Sequence, residues 1–363
     1  MKKKVVFYIG DLGKGGAQRV MINLAQSLVK KEYQVTIVTI GALEQEYPLP
    51  DQVKRVYSEL TEDEMSTNRI KNFVARVRKL RRIWKEENPG IIISFIGKNN
   101  FMALASSRGL SIPVITSVRG EPMEEYYNPI LRFLSKTFMG LSDGLILQTP
   151  DAREYFPKWM QKKSVILDNP LNPEFIDEYY TGERKNEIVT VGRLDGNKNQ
   201  KLIIDAFLRI AEQFPEVNLI LYGNGEDREW LEKYAKDSKY AKQIFLPGPI
   251  RDVKKRIQKA KIFVLSSNTE GMPNSLLEAM ALGIPSISTD CPCGGPRMLM
   301  KGKENGILVP VGEVEPMAEA MRKLLTDEEL WQKYSRNSYK LSKELHPDKV
   351  NQKWEEYLLS KMK

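Results

Sequence analysis

The chain has 363 residues, 41% hydrophobic and 28% charged, the balance of a soluble globular protein long enough for two domains. No apolar run approaches the ~20 residues that span a bilayer, and the run after Lys2, Lys3 and Lys4 (Val5 to Ile9) is too short for a secretory leader, so neither anchor nor leader is expected. The net charge of +9 is lopsided: residues 1–168 hold 26 Lys and Arg against 18 Asp and Glu, a balance of +8, and the remainder holds 30 against 29. A basic half of this kind attracts nucleic acid, anionic lipid or a phosphorylated acceptor. Nucleic acid is disfavoured, because no aromatic-rich recognition module accompanies the charge. Cys291 and Cys293 are one residue apart, which is poor for a disulfide and too sparse for zinc, so a reducing cytoplasm is the simplest reading.

The first half opens with a strand at Val5–Ile9, a glycine loop over residues 10–16 and a helix over 17–30, followed by a strand at Gln34–Ile40. That is a strand–helix–strand unit with its glycines at the first turn. Gly15 and Gly16 stand where backbone N–H groups approach an anion, although a glycine turn without ligand reads the same way. Arg69 to Lys85 carries eight basic residues and no acidic one, with Ile70, Phe73, Val77, Leu80 and Trp84 at helical spacing. It reads either as a crossover helix with a solvated face or as a helix facing a membrane surface or an acceptor. Short, apolar, β-branched runs at Ile91–Ile96, Val114–Val118, Leu145–Gln148 and Val165–Leu167 predict further buried parallel strands. Arg119 and Glu121 follow one of them, as a loop ion pair or as a contact to a phosphate or an acceptor.

The second half repeats the pattern, with strands expected at Ile188–Val191, Asn218–Tyr222, Ile262–Leu265, Ser286–Thr289 and Ile307–Val309, and helices at Lys201–Gln213 and Asp227–Lys236. The fold class is therefore α/β: two doubly wound domains facing a central cleft, at 1–168 and 186–346, joined by a polar, Pro-containing linker at 169–185. A last helix at about 347–363 is expected to pack back on the first domain. Gly192, Arg193 and Lys198 follow the first strand of the second half, Gly223 the next, and Ile250 the loop after that, all at strand carboxyl ends.

The segment Thr269–Gly283 carries the most chemistry. A strand runs into a loop bearing Glu270, and a helix then starts and carries Glu278 one turn inside. Helix N-termini receive phosphate, and a flanking carboxylate accepts hydrogen bonds from sugar hydroxyls, which together suit a nucleotide sugar. Arg193 forks onto phosphate oxygens and Lys198 acts as a point charge, stabilising a departing diphosphate. The single histidine, His346, excludes His-based triads, and no Asp-x-Asp pair suggests a metal-bridged diphosphate, so no metal or other cofactor is expected. The Cys291–Pro296 loop reads as a rigid backbone turn.

These motifs (G-G-A-Q-R at 15–19, V-G-R-L at 191–194 with Lys198, E-G-M-P-N-S-L-L-E-A-M-A-L-G at 270–283 and P-S-I-S-T-D-C-P at 285–292) resemble the retaining glycosyltransferases of family 4, which have the two-Rossmann GT-B fold. The last loop is similar to the bacterial branch that builds capsule, exopolysaccharide, O-antigen or lipid-linked oligosaccharide. The resemblance implies that Gly16 approaches the diphosphate of a UDP-sugar and that Arg193 and Lys198 hold it. Glu270 contacts sugar hydroxyls, the backbone of Gly271, Met272, Pro273, Asn274 and Ser275 cradles sugar and phosphate, Glu278 accepts the ribose hydroxyls, and backbone near Ile250 meets uracil. Many members carry a histidine near the sugar; here Arg119 stands in that neighbourhood, and acceptor contacts are expected of Arg119 and Glu121. The implied activity is transfer of a hexose or N-acetylhexosamine, with retention, to a glycan or polyprenyl-diphosphate-linked acceptor. The enzyme is expected in the cytoplasm, on the anionic inner face of the plasma membrane. The alternatives are a UDP-sugar epimerase or hydrolase on the same fold and a non-catalytic nucleotide-sugar-binding protein.

Overall fold

The computed structural model describes residues 3–301 and 304–362. Lys2 of the N-terminal lysine run and the last position of the helix expected at 347–363 lie outside the described residues. The chain forms two compact units, one of residues 1–170 with 348–363 and one of residues 171–347.

The first unit is built on seven strands: β1 (Lys4–Tyr8), β2 (Gln34–Thr39), β3 (Lys54–Tyr57), β4 (Ile91–Phe95), β5 (Val114–Ser117), β6 (Gly144–Leu147) and β7 (Ser164–Ile166). All pairs are parallel, in the order β3-β2-β1-β4-β5-β6-β7. The central strands are buried on both faces, which is why they read as continuous Val and Ile runs. The edge strand β3 was not expected from sequence; it is polar and half-exposed, and pairs along one side only.

The helix Pro347–Lys361 belongs to this unit. Val350, Trp354 and Leu358, spaced by four, are buried; the Trp354 ring lies 6.0 Å from Phe95, and its indole N–H donates to the Asp168 carbonyl at 3.0 Å. The glycine loop after β1 is held from the side. Glu46 accepts the backbone N–H groups of Leu12 and Leu43 at 3.3 and 2.9 Å, and Arg55 on β3 forks onto the same carboxylate at 2.5 and 3.0 Å.

The second unit has six parallel strands: β8 (Lys185–Val191), β9 (Asn218–Tyr222), β10 (Ile244–Gly248), β11 (Ala260–Leu265), β12 (Ser286–Thr289) and β13 (Gly306–Val309), in the order β10-β9-β8-β11-β12-β13. The strand order reverses at β1/β4 in one unit and at β8/β11 in the other, and such switch points open ligand crevices at the strand carboxyl ends. The helix expected at Lys201–Gln213 ends at Leu208, beyond which Arg209 and Ile210 bond three residues back in tight turns. The segment expected as a linker is fastened to this unit from Leu171 onward. Leu171 N–H donates to the Leu345 carbonyl, the Tyr179 and Ser335 hydroxyls bond at 2.8 Å, and the Arg184 guanidinium donates to the carbonyls of Gln258, Leu282 and Gly283. Burial pushes the Arg184 guanidinium down to about 10, and the hydrogen bonds explain why so costly a residue is retained there. No described helix is long and apolar enough to cross a membrane.

The Glu46 carboxyl is held down at about 2 by its hydrogen bond from Arg55, with the Leu43 and Leu12 N–H groups adding to it against desolvation. A carboxyl depressed in the folded state contributes stability above its ordinary value of 4.5 and loses it as pH falls through about 2. The melting midpoint of Glu46→Gln is therefore expected below that of the parent at neutral pH. The gap should narrow on acidification between about pH 4.5 and about pH 2, as followed by circular dichroism.

Candidate active site

The carboxyl ends of β8 and β11, neighbours at the switch point of the second unit, carry two polar loops that lock together. Asn197 is the fastener. Its side-chain oxygen accepts the Thr269 N–H at 3.1 Å and hydroxyl at 2.9 Å, and its amide donates to the Thr269 carbonyl at 3.1 Å. The Asn268 N–H donates to the Asn197 carbonyl at 2.8 Å, the Asn268 amide donates to the Gly196 carbonyl at 2.9 Å, and the Ser266 hydroxyl donates to the Lys198 carbonyl at 2.6 Å. With the loops in this register, the Lys198 ammonium donates to Glu270 Oε1, and the Ser267 hydroxyl donates to the same oxygen at 2.6 Å. Asp195, itself buried, accepts the backbone N–H of Lys198 at 2.9 Å and pairs with the Arg193 guanidinium, which is otherwise exposed. The result is an ordered row Arg193–Asp195–Lys198–Glu270–Ser267 at a strand-end crevice.

A third loop fixes the far side of Glu270. The Glu270 N–H donates to the Pro292 carbonyl at 2.6 Å, and the Cys293 N–H returns a bond to the Glu270 carbonyl at 2.9 Å. A Cβ on Gly295 would lie 1.5 Å from the Gly271 carbonyl oxygen, so only glycine permits that approach. The Cys291 thiol is buried and pushed up to about 12 by that burial, with the Glu270 charge adding to it, so it stays protonated beside the site. After Gly271 the chain enters the helix Asn274–Ala281, whose N-terminus has no side-chain cap and whose second turn buries Glu278. On the other flank the Gly192 N–H donates to the Tyr222 carbonyl and the Gly223 N–H to the Gly248 carbonyl, both at 3.0 Å, which carries the edge on toward Ile250. Gly223, at φ +151°, and Gly225 admit the β8 loop; a Cβ on either would fall within 2.0 Å of a carbonyl of Gly192 or Leu194.

The second unit thus collects along one sheet edge Gly192, Arg193, Lys198, Gly223, Ile250, Glu270 to Ser275 and Glu278. Gly15, Gly16, Arg119 and Glu121 belong to the first unit. There Gly15 precedes the helix Gly16–Lys30 and accepts the Arg19 N–H on its carbonyl. Arg119 is not arranged as expected. Its guanidinium lies over the Phe95 ring at 4.9 Å and the Trp354 ring at 5.6 Å and donates to the Asn169 side chain, with Nε and Nη1 sealed from solvent. Burial pulls it down to about 9 from 12.5, with Glu125 opposing. The predicted acceptor contact is replaced by a cation–π sandwich that seats the C-terminal helix. Glu121 caps the helix Pro122–Glu125, accepting the Met123 N–H at 3.2 Å. Asp195, Asn197 and Ser267 were not singled out from the sequence; the available signal was a cluster of small polar residues immediately after two apolar strands.

Two family models meet end to end on this chain: "Glycosyltransferase Family 4" matches residues 14–175 and "Glycosyl transferases group 1" matches residues 172–341. The chain belongs to glycosyltransferase family 4. It is 29% identical over 97% of both chains to a Campylobacter jejuni enzyme, GalNAc-α-(1→4)-GalNAc-α-(1→3)-diNAcBac-PP-undecaprenol α-1,4-N-acetyl-D-galactosaminyltransferase. It is 22% identical to the amylovoran biosynthesis glycosyltransferase AmsD of Erwinia amylovora, covering 99% of this chain and 100% of that one. Among solved structures, Anabaena HepE in complex with UDP and glucose superposes with a TM-score of 0.81 at 16% identity, over 98% of this chain and 99% of that one. The fold is GT-B, with two Rossmann-like units.

Gly225→Ala and Gly295→Ala are expected to lower stability by about 1–3 kcal/mol each in urea unfolding, because a methyl would overlap a backbone carbonyl. Gly196→Ala, in the same loop system but with nothing within 4 Å of the new carbon, should unfold close to the parent.

Proposed function

We propose that this chain transfers a hexose or N-acetylhexosamine from a UDP-sugar to a hydroxyl of a lipid-linked or growing glycan in bacterial cell-surface polysaccharide synthesis, forming an α-glycosidic bond. The observation that carries the reading is the Lys198–Glu270 pair beside Arg193 at the β8/β11 switch point. It sets a cation for phosphate and a carboxylate for sugar hydroxyls side by side. The Campylobacter relative, named for an undecaprenyl-diphosphate-linked substrate, and the HepE complex with UDP support the choice of acceptor and donor.

In the resting protein Lys198 and Glu270 neutralise each other. A donor diphosphate draws the ammonium toward its oxygens, and Glu270, still held by Ser267, turns its free lone pairs to sugar hydroxyls. Arg193 takes a phosphate oxygen with the donors that Asp195 leaves open. Backbone from Gly271 to Ser275 and the Asn274–Ala281 helix dipole favour the negative charge, and Glu278 accepts the ribose hydroxyls. The bond between the anomeric carbon and the phosphate oxygen breaks as the acceptor oxygen bonds to the same carbon on the same face. The acceptor's proton passes to the departing phosphate oxygen, so no protein base is needed and configuration is retained. Lys198 and Arg193 stabilise the UDP as it leaves, in the role a divalent cation fills elsewhere. The basic first unit receives the acceptor at the membrane surface.

The test is UDP release from UDP-Gal, UDP-GalNAc, UDP-Glc and UDP-GlcNAc, with and without a bacterial lipid extract and with EDTA. One donor is expected to react, stimulated by lipid and insensitive to EDTA. Lys198→Ala should lower kcat by ~10²–10³ with the fold intact. Glu278→Gln should chiefly raise the donor KM, about tenfold. Full UDP release without acceptor would point to a hydrolase, and interconversion of donors without UDP release to an epimerase.

A further inference from the structure

The first unit contains a cavity of about 470 Å³, within the size range of small-molecule pockets (about 300–1,000 Å³). It opens at the carboxyl ends of β1, β2 and β4, where Tyr8, Ile40 and Lys98 line it. Its walls are apolar: Phe73, Leu80, Phe101, Met102, Leu134 and Phe138. Its charged lining residues are all cations, Arg69, Arg76 and Lys98, and all three are exposed. No carboxylate among the described residues lines it.

Two further observations set this cavity apart from an ordinary surface hollow. The first concerns the helix Arg69–Glu87. Its apolar stripe is buried at Leu80, Ile83 and Trp84 but emerges into solvent toward the start, where Ile70 is 74% and Phe73 50% exposed. Across from it, the helix Pro129–Thr137 leaves Ile130 72% and Phe133 67% exposed, and Ile130 shares a face with the lining residue Leu134 one turn on. Such a run of exposed apolar side chains marks a ligand or membrane surface. The second concerns the charges. Further along the basic helix, Lys79 pairs with Glu64, Arg82 with Glu86, and Arg81 donates to the Ser106 and Arg108 carbonyls. Arg69 and Arg76, which line the cavity, have no carboxylate partner among the described residues, and Lys98 stands only over the Tyr127 ring at 5.8 Å.

A phosphate alone needs no apolar chamber behind it, and a hydrocarbon alone needs no cations in front of it. We infer that this cavity seats a lipid phosphate, with the phosphate on Arg69, Arg76 and Lys98 and the first part of the hydrocarbon chain against Phe101, Met102, Leu134 and Phe138. The chemistry is shared by two sources, an isoprenoid carrier phosphate and an anionic phospholipid of the bilayer. The carrier source rests on the lipid-linked acceptor reading above; the phospholipid source does not.

The test is calorimetric titration of the full chain with soluble probes: farnesyl phosphate, dihexanoyl phosphatidic acid, farnesol and inorganic phosphate. At least one of the two amphiphilic phosphates should bind, and tighter than farnesol or phosphate by about tenfold or more. A preference for farnesyl phosphate assigns the carrier, and equal binding of the two amphiphiles or a preference for phosphatidic acid assigns the bilayer lipid. The double variant Arg69→Ala with Arg76→Ala should weaken binding about tenfold or more. Ala105→Phe, which fills the cavity from its own lining, should abolish it, and Met102→Trp serves if that variant does not fold. A cooperative thermal melt followed by circular dichroism, matched to the parent, is the folding control for every variant. Absence of binding by both amphiphiles, or binding that survives both the cation and the cavity variants, overturns the inference. So does saturation of the parent cavity by an acidic amphipathic peptide while the lipid phosphates fail. Transfer to a lipid-linked acceptor is scored separately: transfer with unchanged acceptor KM in the cavity variants sinks the carrier source and leaves the enzyme reading. Probe binding without transfer to any acceptor keeps the seat and sinks the enzyme reading.

Discussion

The site of the second unit depends on the interlock between the loops that follow β8 and β11. Neither loop has secondary structure to hold it, so its buried backbone groups find their partners in the neighbouring loops. The Asn197 side chain supplies three of those bonds, and backbone, Asn268 and Ser266 supply others. The lateral register they set brings Lys198 within reach of Glu270, residues far apart in the chain, and Asp195 then orients Arg193 from below. A charged pair so placed gains little as a stabilising contact, since both groups remain partly in water. Its value is positional: two opposite charges are kept ordered and hydrated at a strand-end crevice, where the proposed donor would carry complementary groups.

The two units use the same topology for different ends. In the second, the switch point is polar, crowded with hydrogen-bonded loops, and close to charge balance. In the first, the strand carboxyl ends open on rings, a thioether and exposed guanidinium groups. The +8 balance of residues 1–168 is therefore not a diffuse property of that half, because much of it lies on the one helix that also lends apolar residues to the cavity.

Most of both sheets was legible because parallel strands buried on two faces have to be apolar and β-branched, as at Ile91–Ile93 and Phe263–Leu265. The strand β3 escaped notice because an edge strand with one exposed side need not be apolar, and Lys54-Arg55-Val56-Tyr57 resembles a loop. Gly192 to Lys198 and Glu270 to Glu278 were legible as chemistry because glycine, charge and a helix start coincide at strand ends. Asp195, Asn197 and Ser267 were not, since their role lies in cross-loop pairing that has no local pattern. Arg119 was misplaced for a related reason. A cation after a strand looks available until the chain returns, at Trp354, with the ring that covers it.

That return has a consequence for synthesis. Trp354, Val350 and Leu358 close the core of the first unit, yet the ribosome reaches them only after making all of residues 171–347. Until then Phe95 and the Arg119 guanidinium have no roof. Domains usually complete in the order they are translated. Here the order is inverted: the second unit is whole before the first is sealed, and any nascent chain that stops short of position 354 carries an open first unit.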